Sequence, residues 1–122
     1  MSNVLSFDIE TKNLSYEIGG WGNTHLFKVA CITTWDGNNG VIYVDEPLKD
    51  LKKDTTVIIK ELREFKFDLD EHFQKGGILL GHNINAFDLP VLRDSMDIYI
   101  VRKFLEDKSN RCIDTSAYLL KE

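Results

Sequence analysis

The sequence lacks the features that mark membrane and exported proteins. No apolar run approaches the roughly 20 residues that span a bilayer. The N-terminal segment Met1–Phe7 has neither a basic region nor a small-residue cleavage site, so we expect no membrane partner and a cytoplasmic location. Only two cysteines occur, Cys31 and Cys112, each in an apolar, strand-like setting. Without an export signal, they favour two buried thiols over a disulfide.

Positive charge is also scarce. The 122 residues include 15 Lys and Arg against 20 Asp and Glu, which gives a formal net charge of −5. This balance argues against a broad basic surface that tracks phosphates along a duplex. It remains compatible with an enzyme that grips only the last nucleotides of a strand. In such a site, acidic residues hold metal ions and the ions meet the phosphate.

Prolines number only two, and we find no repeat, low-complexity tract or linker, so one domain is expected over residues 1–122. Apolar runs mixed with alternation predict a strand at 3–10, central in its sheet and buried on both faces. A second strand is predicted at 26–35 and a third at 41–44, joined by the turn sequence Asp-Gly-Asn-Asn-Gly. The chain therefore opens with a three-stranded antiparallel meander. A long polar loop at 11–25 interrupts it, and its length indicates function or mobility.

The second half alternates helix and strand. Apolar residues at spacings of three and four predict a helix across 57–75, ended by Gly76 and Gly77. A short apolar strand at 78–81 then precedes a helix that begins between Asn85 and Phe87 and runs through Arg93.

The remaining segments complete the pattern. An amphipathic segment spans 97–105, a fifth strand is predicted at Cys112 and Ile113, and a last helix begins at 115–120. Three antiparallel strands followed by alternating helix and strand predict an α/β fold, a mixed five-stranded sheet flanked by helices. This order is typical of the ribonuclease H-like architecture.

Two acidic residues share one face of the first strand. Asp8 and Glu10 are two positions apart, so their side chains point the same way, whereas Phe7 and Ile9 point the other way. Neighbouring carboxylates on an apolar strand repel each other and lose hydration. A hard divalent cation removes this cost, because carboxylate oxygens are the ligands that Mg²⁺ and Mn²⁺ prefer. A strand side that simply faces solvent explains the spacing equally well, so the pair alone leaves both interpretations open.

A third acidic residue, Asp88, lies at the start of the second helix. As a first-turn residue it would be favoured by the helix dipole, with Asn85 as the N-cap and Pro90 tolerated early in the helix. That structural role does not explain why an Asn-rich turn and an aromatic residue immediately precede Asp88.

Three segments together resemble the DEDD-type 3′→5′ exonucleases. The residues Ser6–Leu14 (SFDIETKNL) look like the first exonuclease motif. The residues Gly81–Leu92 (GHNINAFDLPVL) look like the second, in the spacing shared by family B polymerases and phage family A polymerases. The residues Arg111–Leu120 (RCIDTSAYLL) are similar to the strand–helix segment that follows in phage replicative polymerases. The resemblance covers the whole chain in order and implies a ribonuclease H-like fold.

The resemblance also implies a metal site. Two Mg²⁺ or Mn²⁺ ions, roughly 3.5–4 Å apart in such enzymes, activate a water and stabilise the leaving 3′ oxygen. Asp8 would bridge both ions, Glu10 would hold the first, and Asp88 would bind the second partly through water.

Four further positions match substrate-contacting positions of the family. Leu14 falls on the wedge that contacts the terminal base, and the backbone around Thr11 falls on the 3′-hydroxyl contact. Asn83 matches an asparagine that contacts the substrate. Phe87 matches an aromatic residue that packs beneath the site, and a plain core role suits it equally well.

One element of the family pattern is not found. The family has a fourth Asp in a Tyr-x-x-x-Asp or His-x-x-x-Asp motif, and neither form occurs before Glu122. We therefore expect an incomplete domain whose C-terminal helices are short or missing. Asp114 is a candidate substitute, but its place before Thr115 and Ser116 favours a helix N-cap instead.

Three functions remain open at this point. The leading one is 3′→5′ hydrolysis of terminal phosphodiester bonds in single-stranded DNA or RNA, with a polymerase domain or another subunit as a further partner. The second is a degenerate exonuclease-like module that binds a nucleic-acid end or a protein without cutting. The third is a ribonuclease H-fold nuclease that cuts internally.

Overall fold

The computed structural model describes residues 3–45, 57–98, 101 and 112–119. Its strands are β1 (Val4–Thr11), β2 (Val29–Trp35), β3 (Gly40–Val44), β4 (Val57–Glu61), β5 (Ile78–Gly81) and β6 (Cys112–Asp114). Its helices are α1 (Phe65–Gln74), α2 (Leu89–Ser95) and α3 (Ser116–Leu119), with short 3₁₀ turns at Ser15–Ile18, Thr24–Leu26 and Leu62–Glu64 and a π turn at Ile84–Asp88. Among these, no helix is long and apolar enough to cross a membrane.

The strands form one mixed sheet in the order β4-β3-β2-β1-β5-β6. β1, β2 and β3 pair antiparallel, as the predicted meander requires, and the remaining neighbours pair parallel. The sheet and its flanking helices confirm the predicted mixed α/β, ribonuclease H-like class. The described sheet has six strands rather than the predicted five.

The sixth strand comes from a segment that we predicted to be helical. Val57–Glu61 pairs parallel with β3, because its β-branched start (Val57, Ile58, Ile59) favours extended backbone over helix. The helix begins only after the 3₁₀ turn Leu62–Glu64. From Phe65 onward the predicted apolar stripe holds, and α1 buries Phe65, Leu69 and Phe73.

The ends of the helices agree better with prediction. Gly76 follows α1 with φ of 77°, a left-handed conformation that glycine adopts without a Cβ clash. β6 and α3 lie where the last predicted strand and helix were placed. The predicted amphipathic segment at 97–105 lies mostly outside the described residues.

β1 is central, but only one of its faces is buried. Phe7 and Ile9 point into the core, where Phe7 packs against Phe65 of α1. Asp8 and Glu10 are exposed, so the prediction of burial on both faces was wrong. The cysteines are thiols rather than a disulfide pair, and both are half-buried rather than buried.

Candidate active site

The acidic pair lies on the open face of β1. Asp8 is opposite Thr33 of β2, and Glu10 is opposite Cys31. The register between β1 and β2 shifts between Glu10 and Thr11. Such β-bulges bend a strand and re-aim its side chains, and they are frequent next to active sites.

Asp88 is delivered to the same place by an unusual turn. The π turn Ile84–Asp88 runs directly into α2, and the Leu89 N–H donates to the carbonyl of Ile84. Pro90 follows at the start of α2, where its missing N–H costs nothing. Single π turns inside helices often occur at functional sites, because the extra residue displaces a side chain from regular helix register.

The Asp88 side chain is buried, with 3% of its surface exposed. The backbone N–H of Ile9 favours the charged form of its carboxyl group. Its second oxygen, Oδ2, is fully buried and has no hydrogen-bond partner within the described part of the chain. A buried carboxylate oxygen without a partner is costly, and it is the kind of atom that a cation satisfies.

The environment shifts the acidity of Asp88. Burial raises its pKa to about 7, assisted by the negative charges of Asp8 and Asp114, although the Ile9 N–H acts in the opposite direction. A strongly perturbed carboxyl in a cleft is typical of a functional site. The group is therefore divided between its protonated and charged forms at neutral pH, and a nearby cation would favour the charged form.

Asp114 holds the turn that carries Asp88. Its Oδ1 accepts hydrogen bonds from the N–H of Asn83 (2.7 Å) and the N–H of Ser116 (3.0 Å), and its Oδ2 accepts from the N–H of Asn85 (3.0 Å). The Ser116 contact is the predicted capping role at α3. The proposed N-cap role of Asn85 was wrong, because Asn85 lies inside the π turn and its N–H bonds to Asp114.

These bonds leave Asp114 ionised. Burial, the largest single influence, acts to raise its pKa, but the hydrogen bonds from Ser116, Asn85 and Asn83 together hold the pKa below its usual value. Both carboxylate oxygens of Asp114 thus accept hydrogen bonds from backbone N–H groups. We therefore assign Asp114 a structural role as a clamp, which holds the turn that carries Asp88 in place.

Asn83 adopts a left-handed backbone conformation, with φ of 58° and ψ of 31°. Its carbonyl accepts from the Phe87 N–H at 3.1 Å, which closes the turn, and its side chain is exposed. The strained residue therefore sits directly at the entrance to the π turn. Asn is among the few residues other than glycine that tolerate this conformation.

A cleft of about 410 Å³ joins these elements. All seven residues that the sequence predicted for the site line it: Asp8, Glu10, Thr11, Leu14, Asn83, Phe87 and Asp88. The structure thus brings together residues from β1, the following loop and the π turn that are up to 80 positions apart.

The cleft also contains residues that sequence reasoning missed. Tyr16, Trp21 and Phe27 line it as well. His82, which is close to Asp88 in the sequence and for which a place in the site and a packing role were both open, also lines the cleft. The ring of His82 lies 2.9 Å from the Thr115 hydroxyl through Nδ1, which ties β5 to the start of α3. An exposed aromatic in a glycine-rich loop was the available signal for Trp21, but loop sequences do not disclose which side chains face a distant strand.

The side chains of the cleft meet only some of the requirements for binding a hard divalent cation. Within the described ranges, no group of three or more His, Cys, Asp and Glu side chains is arranged to hold a metal ion. Mg²⁺, however, is usually bound through one or two carboxylates, with waters and substrate phosphates completing its shell. The exposed carboxylates of Asp8 and Glu10 and the unpaired Oδ2 of Asp88 fit that manner of binding.

Comparison with known proteins supports the fold. No protein-family model matches the chain, and no curated protein matches it. Among solved structures, the chain is similar to the family B DNA polymerase from the hyperthermophilic archaeon Pyrobaculum calidifontis. The TM-score is 0.50 at 21% sequence identity, over 78% of this chain and 11% of the polymerase. The chain therefore shares a fold with a small part of a much longer protein.

Proposed function

We propose that this chain is a metal-dependent 3′→5′ exonuclease domain that hydrolyses terminal phosphodiester bonds of single-stranded DNA or RNA. One observation carries the proposal: Asp8, Glu10 and Asp88 line one cleft, and Asp88 is buried there with an unpaired carboxylate oxygen. A buried carboxylate with an unpaired oxygen, such as that of Asp88, is costly unless it is protonated or a cation neutralises it.

The acidic residues of the site would have different roles. Asp8, Glu10 and Asp88 would hold two Mg²⁺ or Mn²⁺ ions, which supply positive charge to the phosphate and lower the pKa of a water nucleophile. Asp88 must be deprotonated for this. Its pKa is about 7 in the chain without metal ions, and a bound cation would favour the charged form. Asp114 fixes the Asn83–Asn85 backbone, so that Asp88 stays against β1.

The substrate would enter between the carboxylates and the loop after β1. Leu14 is 54% exposed at the mouth of the cleft, which suits a side chain that contacts a terminal base. Thr11 is half-buried beside the β-bulge, with its hydroxyl donating to the Asn13 carbonyl at 2.9 Å, and its backbone would meet the 3′ end. Asn83 would contact the strand from the opposite wall.

The polymerase neighbour agrees with a nucleic-acid role. A DNA polymerase acts on nucleic acid, and the shared region is a minor part of that chain. We infer that a polymerase domain or another subunit is a natural partner for the present domain, with the strand passing from one to the other.

The direct test is cleavage of a 5′-labelled single strand by purified chain with Mg²⁺ or Mn²⁺. We expect stepwise shortening from the 3′ end, lost with EDTA and reduced at least 100-fold in Asp8→Ala, because this variant would lack one of the three carboxylates that would hold the ions. Asp70→Ala, which removes a carboxylate from α1, should cut normally. DNA and RNA strands of the same sequence, assayed in parallel, identify the preferred sugar.

Two further substrates distinguish the proposed exonuclease from a nuclease that cuts internally. A circular single strand has no end, so an end-dependent enzyme leaves it intact, whereas an internally cutting ribonuclease H-type enzyme opens it. A strand blocked by a 3′-terminal phosphorothioate linkage should resist the proposed enzyme. An intact linear strand with either metal would overturn catalysis by this chain.

A second candidate function is binding of a nucleic-acid end without cutting. It is favoured by the lack, in the described residues, of any group of three acidic, His or Cys side chains arranged to hold a metal ion. Calorimetric titration with Mn²⁺ tests it, since weak metal binding combined with retained strand binding supports this module over the exonuclease.

A further inference from the structure

The rim of the cleft is unusually apolar for an acidic protein. Three of the exposed large apolar side chains lie on it: Leu14 (54% exposed), Tyr16 (77%) and Trp21 (67%). They line the same cleft as the three carboxylates. Large apolar side chains left exposed together indicate a binding surface, whereas single ones need no explanation.

Trp21 is exposed and yet firmly held. Its ring packs edge-on against Phe87, with centroids 5.3 Å apart, and tilted against Phe27 at 5.9 Å. Phe27 and Phe87 in turn meet edge-to-face at 5.2 Å. Phe27 is buried, so this three-ring cluster anchors the indole to the body of the domain.

The loop that carries Trp21 is built to present it. Gly19 and Gly20 adopt positive φ values of 87° and 118°, which turn the chain sharply before the indole. The Gly20 N–H donates to the Ser15 carbonyl at 2.8 Å, and the Asn23 side-chain amide donates to the Ile18 carbonyl at 2.9 Å. A pre-positioned aromatic loses little conformational entropy when a ligand binds.

We propose that the Trp21 indole is a stacking surface for an unpaired base of the strand whose 3′ end lies at Asp8, Glu10 and Asp88. This inference rests on the proposed function and adds a residue that would hold a base of the single strand. An indole that is two-thirds exposed offers a π face to any base, and such stacking is tolerant of sequence. Tyr16, still more exposed on the same rim, would contact a neighbouring base.

The geometry favours an unpaired base over the other occupants. In a duplex, both faces of an internal base are already stacked on neighbours, so the indole gains contact only with a frayed or single-stranded end. A protein partner at this rim would also have to cover the exposed carboxylates Asp8 and Glu10. A nucleic-acid end would instead bring its phosphate to the metal ions that these carboxylates would hold.

The test uses the two tryptophans of the chain. Trp35 lies on β2, outside the cleft that Trp21 lines, so Trp35→Phe leaves Trp21 as the only tryptophan. In this variant, with Ca²⁺ present to suppress cutting, an eight-nucleotide single strand should quench the tryptophan fluorescence saturably. A blunt hairpin duplex should quench it only at concentrations at least tenfold higher, and dA and dT strands should differ little.

The affinity of Trp21 variants for a single strand then tests whether Trp21 contacts a base. Trp21→Ala should weaken strand binding about tenfold, as expected for the loss of one base–aromatic stack, and Trp21→Phe should recover part of that loss. The control is Phe67→Ala, which removes an equally exposed aromatic (66%) from α1, away from the cleft. Thermal unfolding of each variant confirms that it is folded.

An abasic strand makes the assignment specific. When the stacked base is replaced by an abasic sugar, Trp21→Ala should no longer weaken binding, whereas on the intact strand it does. Equal loss on both strands, or wild-type affinity in Trp21→Ala, overturns the stacking role. If fluorescence responds to a peptide-bearing partner but not to any strand, the rim is a protein site and the inference is wrong.

The outcomes are separable from those of the exonuclease assay. Normal cutting by Trp21→Ala with an unchanged KM removes the stacking inference and leaves the exonuclease standing. Saturable quenching by single strands without any cutting retains the inference and removes the exonuclease.

Discussion

The backbone N–H of Ile9, the residue between Asp8 and Glu10, favours the charged form of the Asp88 carboxyl and so acts to lower its pKa. This interaction links the end of the π turn to the strand that carries the acidic pair. Because side chains alternate along β1, Ile9 itself points into the core while its neighbours face the cleft. Asp88 therefore lies in the same cleft as the acidic pair, and the negative charge of Asp8 helps to raise the Asp88 pKa, which gives testable consequences.

The first prediction is that the stability of the folded chain depends on pH through Asp88. The pKa of Asp88 is about 7 in the folded chain against an ordinary value of 3.8, so the native state retains a proton that the unfolded state has lost. Without divalent cations, this contribution to stability is fully present below pH 4 and is lost as the pH rises to about 7. The total is on the order of 4 kcal/mol.

Asp88→Asn removes this titration. Relative to wild type, the variant should gain stability between pH 4.5 and pH 8, measured by urea unfolding in EDTA. Asp70→Asn controls for the loss of one carboxylate elsewhere. Adding Mn²⁺ at pH 8 should stabilise wild type more than Asp88→Asn. A difference between variant and wild type that stays constant across pH would contradict the raised pKa.

A second prediction uses Cys31 to detect cation binding without activity. Burial, followed by the negative charges of Glu10 and Asp8, raises the pKa of the Cys31 thiol. A cation bound by those carboxylates cancels their charge, so the pKa should fall towards its ordinary value. In a Cys112→Ser background, the pH midpoint of alkylation by iodoacetamide should therefore move lower when Mg²⁺ is added.

The same assay contains its own controls. Glu10→Gln should lower the midpoint without metal and should reduce the Mg²⁺ response. Reading the midpoint rather than the rate separates a change of acidity from a change of access. If Mg²⁺ changes only the limiting rate, the carboxylates do not bind the ion.

Much of this site was predictable from sequence. The alternation of Phe7, Asp8, Ile9 and Glu10 determines which side chains face the core, and the structure reproduces it. The cleft also contains every residue that the motif resemblance had placed in the site. Whether these residues bind metal ions and cut a strand stays a prediction.

The misses have a common physical cause. Ile58 fitted the helical spacing of the later Leu62 and Phe65, but strand pairing with β3 outweighed that periodicity over Val57–Glu61. The position of the Trp21 ring likewise depends on its contacts with Phe27 and Phe87. Phe27 follows the next 3₁₀ turn, and Phe87 belongs to the π turn of the second half of the chain. Local patterns specify elements well and do not specify which partners a segment will find.

A third prediction separates the structural Asp114 from the proposed metal ligands. Asp114→Ala leaves the N–H groups of Asn83, Asn85 and Ser116 without their acceptor, and should cost about 2–4 kcal/mol in the free energy of unfolding. Ser116→Ala, which removes only the hydroxyl contact, should cost about 1 kcal/mol or less.

The contribution of Asp114 to the free energy of unfolding changes with pH in the opposite direction to that of Asp88. The pKa of Asp114 is lowered, so its stabilisation is present above about pH 4 and is lost as the pH falls further. Asp114→Asn should flatten that acid limb. If this variant instead keeps its stability and loses Mn²⁺ affinity, Asp114 is a metal ligand and the clamp interpretation is wrong.

The last prediction separates the backbone of Asn83 from its side chain. Because its φ of 58° suits glycine, Asn83→Gly should change the free energy of unfolding by less than about 1 kcal/mol, whereas Asn83→Ala should cost about 1–2 kcal/mol. Both substitutions remove the exposed amide from the cleft. If that amide contacts the strand, both variants should bind an eight-nucleotide strand several-fold more weakly, and by equal factors. Wild-type affinity in the stable Asn83→Gly variant would show that the turn needs only this residue's backbone, and the substrate contact would then have to come from elsewhere on the wall.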